Sequence, residues 1–405
     1  MAKILFLAHR VPFPPDKGDK IRAFHILRHL AARHEVWLGA GVDDPADFKH
    51  VESTALPVCD ACLAPLGRVR RGLNMLSAFA VSEPLSVARF RHPRLERWIA
   101  HVLDEVRPDL VFVYSSALAQ YVVGRMAPGT RLVIDFVDAD AEKWRAYAER
   151  AAPPLKAVYA REFRQLVAYE TRALAAAEAG LLVSETERRL LTAQSPAGAR
   201  KLHVMPNGVD AQYFAGAEGQ GDGRSIVLCG RMDYAPNIDA AAWFAREILP
   251  IVRRRRVDAL FRIVGAAPTA AVRALAGLPG VEVTGAVPDV RPHLAQAAVV
   301  VAPLRIARGI QNKVLEGMAA GRPVVATPQA LDGIAAIAGR DLLIGETAAE
   351  FGQAVGDVLT GRAPPSLGAA GRAFVLAHHQ WSVQLRALDR LIGETAPGRS
   401  AEAAA

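Results

Sequence analysis

Short runs of β-branched and aliphatic residues alternate twice along this chain with stretches of helical spacing, which constrains its fold most strongly. In the first array, Lys3–Ala8, Glu35–Gly39, Leu110–Tyr114, Arg131–Val137 and Gly180–Val183 read as strands. Such short, nearly continuous apolar runs suit strands buried on both faces of a parallel sheet. A Pro-rich loop, Val11 to Gly18, leads into a helix over Asp19–Arg33, with Ile21, Phe24, Leu27 and Leu30 at helical spacing and Asp19 as N-cap. A glycine-rich polar break, Gly216 to Gly223, reads as a linker. The pattern then restarts: Ser225–Cys229, Phe261–Val264, Val281–Val283, Val299–Pro303 and Pro323–Ala326 read as strands, with helices over Ile238–Arg254, Val314–Ala319 and Ala349–Leu359. The expected architecture is α/β, two Rossmann-like βα domains facing an interdomain cleft. The expected boundaries are residues 1–215, a linker at 216–224, a second domain at 225–380, a C-terminal helix at 381–393 and a disordered tail at 394–405.

Composition removes several classes. Of 405 residues, 51% are hydrophobic and 22% charged, which fits a cored globular chain and not a disordered one. The longest charge-free run, Leu110 to Gly124, is interrupted by Ser115, Ser116 and Gln120, whereas a membrane helix needs about 20 mostly apolar residues. The opening apolar stretch is too short for a secretory signal, being broken by His9 and Arg10, and 3 cysteines make no disulfide framework. A cytoplasmic location is therefore expected. The net charge of +8 comes from 41 arginines and only 8 lysines, in a background rich in Ala, Gly and Pro that reflects coding bias. No aromatic–basic stacking platform accompanies it, so a nucleic-acid partner is not expected. Lys313 is the one lysine after Lys201, which singles it out.

In open parallel sheets, ligands bind where loops at the carboxyl ends of strands meet helix N-termini. Cys229-Gly230-Arg231-Met232 directly follows the opening strand of the second array. Glycine admits close backbone approach, and arginine grips phosphate oxygens with a bidentate fork. Further on, Pro303 to Thr327 runs from a strand end through a glycine-containing loop to a helix start near Gly309, Ile310, Gln311 and Asn312. Free N–H groups there favour an anion, and Lys313 adds a point charge. Glu316, one turn later, can accept hydrogen bonds from a sugar diol.

This stretch resembles the donor-site signature of GT-B glycosyltransferases, glycosyltransferase family 4 in particular. His203–Asp210 (HVMPNGVD) resembles that family's interdomain PNGVD element, Val183–Glu187 is similar to the stretch before it, and Gly230-Arg231 matches its turn. Ala8–Arg22, with Asp135–Asp140 (DFVDAD) and Lys143-Trp144-Arg145, resembles more narrowly the sugar transferases associated with the PEP-CTERM/exosortase exopolysaccharide system. The resemblance implies that Arg231 and Lys313 neutralise a donor diphosphate. It further implies that Glu316 holds the ribose hydroxyls and that Gly18 lets backbone approach the diphosphate or the acceptor. It implies transfer with retention from a nucleotide-diphosphate sugar, without metal or further cofactor, to a glycan or lipid-linked glycan acceptor at the inner face of the membrane. Lys20, Arg22, Asp135 and Asp140 are acceptor-side candidates, and Asp138 is the preferred residue to orient or deprotonate the acceptor.

The chain also departs from the pattern. The first glutamate of the family's E-x7-E motif falls at Arg308, and a lysine often found after the Gly-Arg turn falls at Pro236. Arg308 suits a donor sugar bearing a carboxylate. The departures keep two rivals in view: a nucleotide-sugar-binding protein that has lost catalysis, and a GT-B sugar-nucleotide epimerase.

Other motifs carry less. Cys59 and Cys62 form a C-x-x-C without a second ligand pair, no histidine spacing suggests a metal site, and Arg253–Arg256 complements a helix end. The segment 67–98 differs. It interleaves Arg68, Arg70, Arg71, Arg89, Arg91, Arg94 and Arg97 with Leu73, Leu76, Phe79 and Phe90, as a segment resting on an anionic membrane surface would.

Overall fold

The computed structural model describes residues 1–15, 18–44, 47–48, 58–215, 221–307 and 309–393. Contacts divide the chain into two units: Met1–Met205 together with the chain from Ala387 onward, and Pro206–Arg386.

The first unit is built on β1 (Lys3–Ala8), β2 (Glu35–Val42), β3 (Asp60–Pro65), β4 (Leu110–Tyr114), β5 (Arg131–Val137), β6 (Ala179–Leu182) and β7 (Leu202–Val204). These seven strands are parallel and ordered β3-β2-β1-β4-β5-β6-β7. Leu5, Leu7, Val111 and Val113 are wholly buried, each contributing about 1.5–3 kcal/mol by burial. Strand order reverses between β1 and β4, so the loops leaving their carboxyl ends diverge and open a crevice. Register places Ala8 beside Tyr114 and Tyr114 beside Asp135, which sets His9, Ser115 and Asp138 along one edge.

The second unit repeats the plan with β8 (Ser225–Cys229), β9 (Leu260–Val264), β10 (Val281–Gly285), β11 (Val299–Ala302), β12 (Val324–Ala326) and β13 (Leu343–Ile344). All pair in parallel in the order β10-β9-β8-β11-β12-β13, with the reversal between β8 and β11. The two Rossmann-like sheets are those expected from the doubled pattern. No helix among the described residues is long and apolar enough to cross a membrane.

The differences have local causes. Strand β3 escaped notice because Asp60, Ala61 and Pro65 are exposed at a sheet edge, and β7 and β13 are too short to show a period. The helix expected over Ile238–Arg254 is Ala235–Trp243, a π-helical turn at Phe244–Ile248, then Leu249–Arg255. Pro250, lacking an N–H, cannot continue a regular ladder there. Asp19 does not cap its helix, which begins one residue earlier over Gly18–Ala31; its carboxylate turns to Arg10 Nη1 at 2.6 Å.

The division between units falls at Met205, ten or more residues before the expected linker. Residues 216–220 lie outside the described residues. Asp222 ties the following stretch down, accepting from Ser225 N at 2.7 Å and Ser225 Oγ at 2.5 Å. The expected C-terminal helix is two pieces, Trp381–Gln384 and Arg386–Ile392. The second piece belongs to the first unit: Asp389 bonds His29 Nε2 at 2.6 Å and Arg33 at 3.1 Å, and Arg131 donates to the Leu391 and Ile392 carbonyls. The expected disordered tail, 394–405, lies outside the described residues.

Candidate functional site

At the carboxyl edge of the second sheet, β8 ends in Cys229 and turns at Gly230, where φ is +153°. A neighbouring turn at Gly265, φ +154°, follows β9 and comes so close that a Cβ there would lie 1.7 Å from the Gly230 carbonyl oxygen. Only glycine permits this approach. Across the reversal point, the loop after β11 is pinned by Thr327 Oγ1 donating to the Leu304 carbonyl at 2.6 Å and by Arg305 gripping Asp239. Gly309, φ +61°, leads into the helix Asn312–Ala319.

That helix starts without a side-chain cap. Gln311 bonds back to the Gly309 carbonyl at 3.1 Å, and Asn312 Oδ1 accepts from Asn207 at 3.4 Å. Val314, Leu315 and Met318 are buried in the core, which fixes the opposite face of the helix. Lys313 and Glu316 are half-buried, and among the described residues neither forms an ion pair or a hydrogen bond. Their charges nevertheless reach one another and Cys229. Burial lowers the Lys313 ammonium, with Glu316 and Cys229 opposing, and burial raises the Glu316 carboxyl, with Lys313 opposing. Burial pushes the Cys229 thiol up to about 12, reinforced by Glu316 and opposed by Lys313. The structure thus gathers Gly230, Gly309, Ile310, Gln311, Asn312, Lys313 and Glu316 around one strand edge. A cation that attracts an anion and a carboxylate that accepts from hydroxyls, neither spent on the other by direct contact, match a ligand carrying both groups.

Arg231 is placed differently from its expected phosphate contact. It is clamped by Asp233, with Nη2 to Oδ2 at 2.7 Å and Nε to Oδ1 at 3.1 Å, so a phosphate there competes with a carboxylate. Pro236 sits in the first turn of Ala235–Trp243. Arg308 lies outside the described residues, and with it the idea of a carboxylate-bearing donor sugar.

The first unit presents a second edge. Two residues that are not glycine take left-handed backbone at adjacent strand ends, Ser115 at φ +73° and the β-branched Val137 at φ +69°. Such strain, roughly 1–3 kcal/mol each, is characteristic of ligand-facing turns. Beyond Val137, the half-exposed Asp138 lies 3.5 Å from Lys143, which binds Asp140 more closely at 2.6 Å. Burial raises the Asp138 carboxyl, with Lys143 opposing and Asp140 reinforcing. Gly18 is exposed at the first position of its helix, open to backbone approach.

Three of the acceptor-side candidates lie inside the unit. Lys20, Arg22 and Asp135 are buried, and their charges are matched inside the unit. Lys20 Nζ bonds Asp47 at 2.8 Å, and Arg22 grips Asp135 at 2.7 and 3.2 Å while donating to the Met205 carbonyl at 2.8 Å. They fasten the helix Gly18–Ala31 to its sheet, leaving Asp138 and Asp140 as the accessible acids of DFVDAD.

Sequence reasoning missed the network beside them. His9 stacks on Tyr114 with ring centroids 5.7 Å apart and meets Phe90 edge-on at 5.4 Å. Arg10 bridges Asp19 at 2.6 Å and Asp43 at 2.8 Å. Burial opposes ionisation of Asp19, but His9 and Arg10 hold its carboxyl far below the usual range. The signal was present in Ala8–Arg22, yet its partners are Asp43 just past β2, Tyr114 at the end of β4, and Phe90. Cys62 is buried in β3 while Cys59 is exposed, which fits packing.

Two family models match the chain in tandem: a glycosyl transferase 4-like domain over residues 18–208, and glycosyl transferases group 1 over residues 223–361. Among solved structures, sucrose-phosphate synthase from Thermosynechococcus elongatus is similar with a TM-score of 0.71 at 16% identity, covering 97% of this chain and 98% of that one. HepE from Anabaena in complex with UDP is similar with a TM-score of 0.65 at 13% identity, covering 97% of this chain and 100% of that one. WaaG, a glycosyltransferase involved in lipopolysaccharide biosynthesis, gives a TM-score of 0.60 at 16% identity, covering 96% and 100%. Identities this low establish the shared fold. No curated protein matches the chain in sequence.

Proposed function

Because the chain belongs to the GT-B glycosyltransferases, we propose that it moves a sugar, with retention of configuration, from a nucleotide-diphosphate sugar to a lipid-linked glycan in exopolysaccharide assembly. The observation that carries the donor half is Lys313 and Glu316, half-buried, unpaired among the described residues and acting on Cys229 at the end of β8. A departing diphosphate gathers negative charge, and a fixed ammonium with helix N–H groups stabilises that charge without reorganisation, so a metal is not needed for it. Glu316 supplies the acceptor oxygens that ribose hydroxyls require. The UDP and UDP-glucose complexes of HepE support a nucleotide-sugar donor of this kind.

On the acceptor side, Asp138 is the acid best suited to orient the incoming hydroxyl, since Asp135 is sealed by Arg22 and Asp140 is held by Lys143. In a retaining transfer the hydroxyl enters on the face the diphosphate leaves, and a diphosphate oxygen takes its proton. The basic, apolar segment 67–98 supports work at the anionic inner surface of the membrane, from the cytoplasmic side.

Incubating the protein with a panel of nucleotide-diphosphate sugars and prenyl-linked saccharides, then reading the product's anomeric coupling by proton NMR, tests this reading. The expected product keeps the donor's configuration. An inverted product overturns retention. A protein that binds UDP yet transfers from no donor fits instead a binding protein that has lost catalysis.

A further inference from the structure

The helix Ala141–Arg150 starts directly beyond the DFVDAD acids, with Asp140 at its N-cap in helical backbone. Asp140, Lys143, Trp144 and Tyr147 therefore fall at i, i+3, i+4 and i+7, on one face. Lys143 joins that face to the acids, 2.6 Å from Asp140 and 3.5 Å from Asp138. Beyond it, the rings of Trp144 and Tyr147 meet edge to face with centroids 5.8 Å apart. Tyr159, from the helix Leu155–Ala176, completes the group at 5.7 Å from Trp144 and 5.8 Å from Tyr147.

Trp144 is anchored against the buried cluster of Val87, Ala117, Ala141 and Leu166. Tyr147 is nevertheless 54% exposed, and Trp144 and Tyr159 are only half-buried. Among the described residues, the two phenol hydroxyls and the indole N–H have no hydrogen-bond partner. Rings fixed at a surface with their polar tips unspent offer apolar contact and hydrogen bonds at low entropic cost. Their electron-rich faces attract polarised C–H groups. A pyranose presents such a C–H patch on one side and hydroxyls around its rim. Lys143 is already engaged by Asp138 and Asp140, which in turn accept from hydroxyls, so a neutral polyol suits this face better than an anion.

We propose that Trp144, Tyr147 and Tyr159 form a saccharide subsite on which a sugar ring of the acceptor stacks. From Asp140 to Tyr147 the helix rises about 10 Å, more than one pyranose ring, so the ring held there is not the one that receives the transferred sugar. The acceptor is then an oligosaccharide of at least two units, its far ring on Tyr147 while a hydroxyl of its terminal ring reaches Asp138. This deepens the glycosyltransferase reading and rests on it for the word acceptor; the saccharide site itself stands on the first unit alone.

Saturation-transfer NMR in the presence of UDP tests this with matched pairs: methyl glucoside and cellobiose, methyl galactoside and lactose, methyl mannoside and mannobiose. In at least one pair the disaccharide is expected to bind the parent protein more tightly than the monosaccharide. Tyr147→Ala should erase that advantage, a loss of about five- to tenfold in disaccharide affinity. Tyr147→Phe, which keeps the ring, should retain it. Tyr147→Ala should also keep the parent's UDP affinity and a cooperative unfolding transition, which separates loss of the subsite from loss of the fold. An undiminished advantage in Tyr147→Ala, as a ring that only packs its helices would give, overturns the subsite, and so does a parent that prefers no disaccharide. Phosphatidylglycerol vesicles test the other occupant of exposed aromatic rings. The exposed helix Arg68–Ala80 lies elsewhere in the chain, so vesicles should bind the parent and Tyr147→Ala alike; vesicle binding lost in Tyr147→Ala would give the rings to the membrane and overturn the subsite. Disaccharide binding that depends on Tyr147, without transfer to that sugar from any nucleotide-diphosphate sugar, would instead count against the acceptor reading and leave the saccharide site standing.

Discussion

Arg22 and Asp135 stand 113 positions apart and meet inside the first unit, with Nε 2.7 Å from Oδ2 and Nη2 3.2 Å from Oδ1. The pair ties the helix after β1 to the carboxyl end of β5, where the backbone turns through Val137 to Asp138. Its charges are buried and do not face solvent, so the pair shapes the carboxyl edge of the first sheet from within.

Removing one partner leaves the other charge buried alone. Asp135→Ala or Arg22→Met should therefore destabilise the first unit by about 3–5 kcal/mol. Thermal unfolding followed by circular dichroism checks this, and the double variant should lose less than the two single losses combined. Midpoints within a degree of the parent would mean the pair is dispensable.

The turns at Gly230 and Gly265 make a second, sharper expectation. A Cβ at residue 265 would lie 1.7 Å from the Gly230 oxygen, and the backbone there is at φ +154°. Gly265→Ala should destabilise the second unit by about 2–5 kcal/mol and weaken UDP binding. Gly72, in the interior of Arg68–Ala80, has nothing within 4 Å of its Cβ position. Gly72→Ala should stabilise by about 0.5–1 kcal/mol, so the pair of variants moves the unfolding midpoint in opposite directions.

Glu316 links pH to both stability and binding. Burial raises its carboxyl above the ordinary 4.5, with Lys313 opposing. In the window between the ordinary and raised values the folded chain holds more proton than the unfolded one, so stability falls as pH rises through it. Glu316→Gln should raise the unfolding midpoint of the ligand-free protein at pH 7 and remove that decline. Sugar hydroxyls bond the ionised form, so donor affinity should weaken as pH falls toward the raised value. A donor-binding profile unchanged by Glu316→Gln would detach Glu316 from the ribose.

Asp138 should matter to transfer alone. Asp138→Asn is expected to lower kcat by up to about 10²-fold, the cost of a misoriented acceptor hydroxyl, while UDP affinity stays at the parent value, measured by steady-state assay and calorimetry. A loss confined to donor affinity would place it elsewhere in the reaction.

Much of this was legible in the chain because the relevant signals are local. The runs Lys3–Ala8, Leu110–Tyr114, Arg131–Val137 and Ser225–Cys229 are uninterrupted enough to show their strand limits. Gly309 through Glu316 is one loop and one helix turn, so its convergence on the end of β8 followed from strand–loop–helix order. Arg22, Asp135 and Lys20 could not be placed the same way. Whether such a side chain faces acceptor or core depends on pairings such as Tyr114 with Asp135 in the sheet register, which no local spacing encodes.

The central claim is that Lys313 holds the donor's diphosphate at the edge of the second sheet. Calorimetric titration of UDP into the parent protein and Lys313→Ala tests it most directly. Saturable binding is expected for the parent, at least tenfold weaker binding for Lys313→Ala, and a cooperative unfolding transition in the variant, which shows that it is folded. Equal UDP affinity in a folded Lys313→Ala would contradict it.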